Sequence, residues 1–122
     1  MASKRVLIVE DDQELRRLYR QALILAGYEV KEARGGFEAL RHLDHQTPDI
    51  VVLDLAMPGV DGYAVRNELA AQAQTRHIPI VVITGSTEDL DWLDVKCVLR
   101  KPVQPDDLLR TVAQCLVSAA GL

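Results

Sequence analysis

The chain has 122 residues, a formal net charge of −4 and 48% hydrophobic residues, so one domain over 1–122 with a single core is expected. Its 14 Lys and Arg are scattered among 18 Asp and Glu, which argues against direct nucleic-acid binding. No apolar run reaches the length of a membrane span and no signal-peptide pattern opens the chain, so no membrane contact and a cytoplasmic location are expected.

In chain order, Arg5-Val6-Leu7-Ile8-Val9 reads as a short buried strand that ends in three acids, Glu10-Asp11-Asp12. A helix follows, with Leu15, Leu18, Tyr19, Ala22 and Leu23 on its inward face, Asp11 or Asp12 as its cap, and Gly27 closing it. Tyr28 to Ala33 alternates like a strand, and Gly35-Gly36 turns the chain. Ala39, Leu40 and Leu43 mark a second helix ending before Pro48. Ile50-Val51-Val52-Leu53 suits a strand buried on both faces, and it ends on a carboxylate, Asp54. Pro58-Gly59 breaks the chain before a third helix, from about Asp61 to Ala73, with Val65 and Leu69 inward. Ile78 to Thr84 is a further apolar strand, and Cys97-Val98-Leu99 a brief last one. The final helix has Pro105 near its first position, Asp106 and Asp107 in its first turn, and Leu108, Leu109, Val112, Cys115 and Leu116 inward. Cys97 and Cys115 lie in apolar surroundings without CxxC spacing and read as buried free thiols.

Five βα units predict an α/β fold: a doubly wound five-stranded parallel sheet of order 2-1-3-4-5, flavodoxin-like. All strand ends then share one rim. Glu10 and Asp11 follow the first strand, Asp54 the third, Thr84 the fourth and Lys101 the fifth. Three carboxylates in one cleft repel unless a cation intervenes or protons are taken up. All-oxygen donors in small number describe a Mg²⁺ site, and such a site prepares a carboxylate to accept a phosphoryl group. Thr84 can donate a hydroxyl hydrogen bond, Gly85 leaves its N–H open, and Lys101 adds a cation. Each residue alone has an ordinary reading as cap, core-edge residue or solvated side chain. Their convergence at the ends of four strands on one rim is the stronger signal.

The segments VLIVEDD, VVLDLAMPGVDG, VVITG and LRKP together resemble the receiver domains of two-component response regulators over nearly the whole chain. That resemblance implies that Asp54 is the phosphoacceptor and takes its phosphoryl group from a phosphohistidine. It implies Mg²⁺ held by Asp11, Asp54 and the backbone carbonyl of Ala56, with Glu10 acting through a metal-bound water. Thr84 and Lys101 would hold the phosphoryl oxygens, and Lys101-Pro102 would be cis. The partners implied are a histidine kinase or a histidine phosphotransfer protein, with at most a weak homodimer. The chain would be a signalling domain that promotes its own phosphotransfer and dephosphorylation, not an enzyme. It departs from the family in two places. Thr84 and Lys101 are closer by roughly five residues, about a turn and a half of helix, so the fourth helix is expected to be a stub. Val98 stands where the family often has an aromatic ring.

Other candidates are weaker. His42 and His45 have a metal-compatible spacing, but no third ligand is evident, and His77 reads as exposed. Arg16, Arg17 and Arg20 read as a solvated basic stripe, or else as part of a surface for a phosphotransfer partner. Trp92 is expected to tuck the shortened segment onto the sheet. In the family the chain resembles, the positions held by Ala56 and Ser86 influence attack by water, and these small residues imply slow loss of the phosphoryl group. An aspartyl-phosphate hydrolase would place a second acid two residues after its nucleophile, where Ala56 stands. A flavin module would need a phosphate loop where Glu10-Asp11-Asp12 stands. The remaining alternative is a receiver-like interaction domain little used as a phosphoswitch.

Overall fold

Three apolar runs form the middle of a parallel sheet because they can be buried on both sides at once. They are β1 (Arg5–Val9), β3 (Ile50–Asp54) and β4 (Ile80–Thr84). In this computed structural model, which describes residues 3–55, 62–85 and 97–121, they are flanked by β2 (Glu29–Ala33) and β5 (Cys97–Arg100). The strand order is β2-β1-β3-β4-β5, all pairs parallel. This is the doubly wound sheet expected from the alternation of strands and helices. At the β2 edge Glu29 and Lys31 are exposed, and charged edge side chains discourage pairing with another sheet.

Among the described residues, four helices cover the two faces: α1 (Gln13–Leu25), α2 (Gly36–His45), α3 (Gly62–Ala71) and α4 (Pro105–Ala119). Alternate strand residues point to opposite faces, so one sheet serves two cores. Val6, Ile8, Ile50, Val52, Val81 and Ile83 pack with Tyr19 and Leu23 of α1 and Leu108 and Val112 of α4. Leu7, Val9, Val51, Leu53 and Val82 pack with Ala39 of α2 and Val65 and Leu69 of α3. Val98, half-buried, leans on this second core. Asp12 caps α1, its carboxylate accepting from the amides of Glu14 and Leu15 at 2.9 and 3.1 Å. Gly27 follows α1 at φ 98°, a left-handed conformation that glycine adopts without a Cβ penalty. No helix among the described residues is long and apolar enough to cross a membrane.

Two expectations are corrected. Cys97 and Cys115 are not free thiols: they are joined in a disulfide, their Cα atoms 6.3 Å apart. Packing α4 against β5 brings together residues 18 apart in sequence, a proximity that no local spacing encodes. The inward face of α1 is also rotated from the expected one. Leu18 is 40% exposed, while Arg16 is buried at 9% beside Tyr19 and Leu23. His45 and His77 are exposed, and His42 is half-buried, its Nε2 donating to the Glu32 carbonyl at 3.0 Å. The expected short fourth helix, with Ser86 and Trp92, lies outside the described residues, as does Ala56.

Candidate functional site

The carboxyl ends of β1 and β3 lie side by side, since Val9 is in register with Leu53. The next residue on each strand is therefore an acid, Glu10 on one and Asp54 on the other. Glu10 is held at its backbone from two sides. Its amide donates to the Ala33 carbonyl at 3.0 Å, and its own carbonyl accepts from Arg16 Nη1 at 2.9 Å. Asp11 follows in the exposed turn, and the Asp12 cap then starts α1. As a result, carboxylate oxygens of Glu10, Asp11 and Asp54 all fall within 4.8 Å of one another.

The opposite wall comes from β4 and β5. Thr84 ends β4, one residue beyond Ile83, the register partner of Asp54, and is buried. The Lys101 amide donates to the Thr84 carbonyl at 2.8 Å, which prolongs the β4–β5 pairing by one residue. From there the Lys101 ammonium reaches across β4. Its Nζ lies 3.0 Å from Asp54 Oδ2 and 3.8 Å from Glu10 Oε1. The Lys101-Pro102 bond is cis. Gly85 is exposed, with open space where a Cβ would stand.

Charge is unevenly matched here. Glu10 and Asp54 are almost fully buried, at 1% and 2% exposure. Burial first, and then the neighbouring Asp54, push the Glu10 carboxyl up to about 9. Burial alone would lower Lys101, but the hydrogen bond to Asp54 and the charges of Glu10 and Asp54 outweigh it and raise the ammonium. Both carboxylate oxygens of Glu10 are buried without a hydrogen-bond partner. Orphaned buried oxygens among hard oxygen donors fit a small divalent cation or the water bound to one. Among the described residues this is the only group of three or more side chains with such a geometry.

Two residues that shape this site escaped the sequence reading. Arg16 reads from its charge as part of a solvated stripe or of a partner surface, although its spacing to Tyr19 and Leu23 is i, i+3, i+7, a signal its charge conceals. Gly62 opens α3 against the end of β3, its amide donating to the Leu55 carbonyl at 3.3 Å. A Cβ there would strike the carbonyl oxygen of Asp54 and the Cα of Leu55. Nothing local announces that approach.

Residues 6–113 match the response regulator receiver domain family. The chain is 30% identical over 122 residues to the polar-differentiation response regulator DivK of Brucella ovis, covering 96% of this chain and 99% of that protein. It is 33% identical over 113 residues to the probable transcriptional regulator ycf27 of Porphyridium aerugineum, covering 88% of this chain but 46% of that protein. The chain thus spans about half the length of that relative. Among solved structures, the chemotaxis protein CheY4 of Vibrio cholerae superposes with a TM-score of 0.87 at 29% identity, over 93% of this chain and 99% of that one.

Proposed function

The chain belongs to the response regulator receiver domain family, and from that membership we propose that Asp54 is its phosphoacceptor, served by Mg²⁺ at Glu10, Asp11 and Asp54. A phosphoacceptor role in two-component signalling belongs to the family, and the chain is a signalling domain. The partner proposed is a histidine kinase or a histidine phosphotransfer protein. One Asp54 oxygen attacks the phosphorus of a phosphohistidine, the P–N bond breaks, and its electron pair leaves with the imidazole. Mg²⁺, when bound, offsets the negative charge of the phosphoryl oxygens, which is the main requirement of such transfers. Lys101, at 3.0 Å from Asp54 Oδ2, holds the carboxylate before transfer and turns to a phosphoryl oxygen afterwards. The Thr84 hydroxyl donates to another.

The observation that carries this reading is the pair of orphaned Glu10 oxygens beside Asp54 and opposite Lys101. Incubation with acetyl phosphate and Mg²⁺ should add one phosphoryl mass to the protein, on the peptide that contains Asp54. A chelator should prevent it, and Asp54→Asn should abolish it. Labelling that persists in the Asn variant, or without divalent cation, would show that another residue or another mechanism is at work.

A further inference from the structure

Arg16 has no part in that transfer, yet its guanidinium is buried within one turn of helix of the acidic cluster. Its Nη1 donates to the Glu10 carbonyl at 2.9 Å, and its Nε lies 3.5 Å from Glu32 Oε1 on β2. Arg20 takes the other oxygen of Glu32 at 3.4 Å from the solvent side. Glu32 therefore anchors the guanidinium, and the guanidinium anchors a backbone carbonyl. The peptide group so held is the one that joins Glu10 to Asp11, so any rotation of it moves both carboxylates. The Glu10 amide is fixed on the Ala33 carbonyl, and Asp12 is fixed by its cap on α1. Without Arg16, the Glu10–Asp11 peptide, which lies between those fixed points, loses the hydrogen bond to its carbonyl.

We infer that Arg16 is a positioning residue for the cation site: by clamping the Glu10 carbonyl it sets the carboxylates of Glu10 and Asp11 against Asp54. This rests on the proposed Mg²⁺-dependent function. Outer groups that orient metal ligands typically change affinity by about 10–100-fold when removed. A rival role, as a plain counter-charge to the acids, has the opposite sign. Deleting a cation near the site would then strengthen binding of another cation.

Mg²⁺ affinity measured by calorimetry separates these roles. Arg16→Met should raise the Mg²⁺ Kd by about tenfold. Arg16→Lys, which keeps one donor but loses the planar fork, should stay within about threefold. Arg20→Met, which touches Glu32 but not Glu10, should leave the Kd unchanged. At saturating Mg²⁺, acetyl phosphate should label Arg16→Met at close to the parent rate, so the loss is confined to binding. If Arg16→Met does not fold, Glu32→Gln removes the anchor and should raise the Kd about threefold. A second arm needs no metal: in metal-free protein Arg16→Met, or Glu32→Gln in its place, should speed hydrogen exchange at the Glu10 and Asp11 amides and not along β4. An unchanged or tighter Mg²⁺ Kd, or exchange that rises uniformly, would overturn the assignment. A parent protein that binds no Mg²⁺ would instead overturn the proposed function, and the exchange arm alone would then decide the role of Arg16.

Discussion

Glu10→Gln is expected to stabilise the metal-free protein by about 2 kcal/mol near neutral pH, because the parent carboxyl must take up a proton to enter the buried site and Gln needs none. For a chain of this size that corresponds to a rise of about 8 °C in Tm. The cause is the position of the carboxyl, buried beside Asp54 and raised from 4.5 to about 9. A proton held in the folded state and released in the unfolded one makes stability fall as pH rises. The contribution of Glu10 is fully present below 4.5 and is lost on the way up through about 9. The gap between variant and parent should therefore open above pH 4.5 and level off beyond 9. Saturating Mg²⁺ should narrow or reverse it, because the parent gains stability from the bound ion. Melting curves from about pH 4 to about pH 10.5, with and without Mg²⁺, test this. A Gln variant that melts at or below the parent in metal-free buffer at pH 8 would contradict it.

The second large effect is expected at Gly62. In Gly62→Ala the new methyl would lie against the Asp54 carbonyl oxygen and 2.5 Å from the Leu55 Cα, both backbone atoms. Relief requires α3 to lift from the sheet or the end of β3 to shift. The first unseats Val65 and Leu69 from their core. The second displaces Asp54 itself. Overpacking that cannot relax by a side-chain rotation costs about 3 kcal/mol or more. Urea titration should show that loss. Whatever folded protein remains should take up phosphate at least about tenfold more slowly, since small displacements of a reacting group are heavily penalised. Gly35→Ala is the control. Its φ is −177° and no atom lies within 4 Å of the added methyl, so it should cost about 1 kcal/mol or less. Equal stability of the two variants would refute the close approach.

What the sequence made legible follows from how local each signal is. Strands β1, β3 and β4 are readable because a continuous β-branched run has few other uses. Asp54 stands out because it interrupts such a run at its end. The helix cap at Asp12 is equally local. Arg16 was misread because its position in the helical period indicates burial while its charge indicates solvent. The ion pair with Glu32 that reconciles the two comes from a different strand. The disulfide and the Gly62 approach are likewise meetings of separate elements, β5 with α4 and the end of β3 with α3. Element ends were the other loss. The third helix was expected to reach Ala73, but α3 stops at Ala71, and the Thr75 hydroxyl donates to the Leu69 carbonyl at 2.8 Å. That turn uses up residues that looked helical, and β4 begins at Ile80 rather than Ile78.

The Cys97–Cys115 bond has a consequence for the integrity of the molecule. It closes a covalent ring that starts on β5, passes through Lys101 and the Val103–Gln104 connection, and ends on α4. A protease that nicked this connection would leave two fragments tied by a single sulfur–sulfur bond. The carboxy-terminal helix would remain beside the sheet it packs on, and the amine facing Asp54 would stay in the larger piece. Such a nicked molecule would run as one species on a gel without reductant and as two with it, so damage at the connection between sheet and last helix would stay hidden until the thiols were freed.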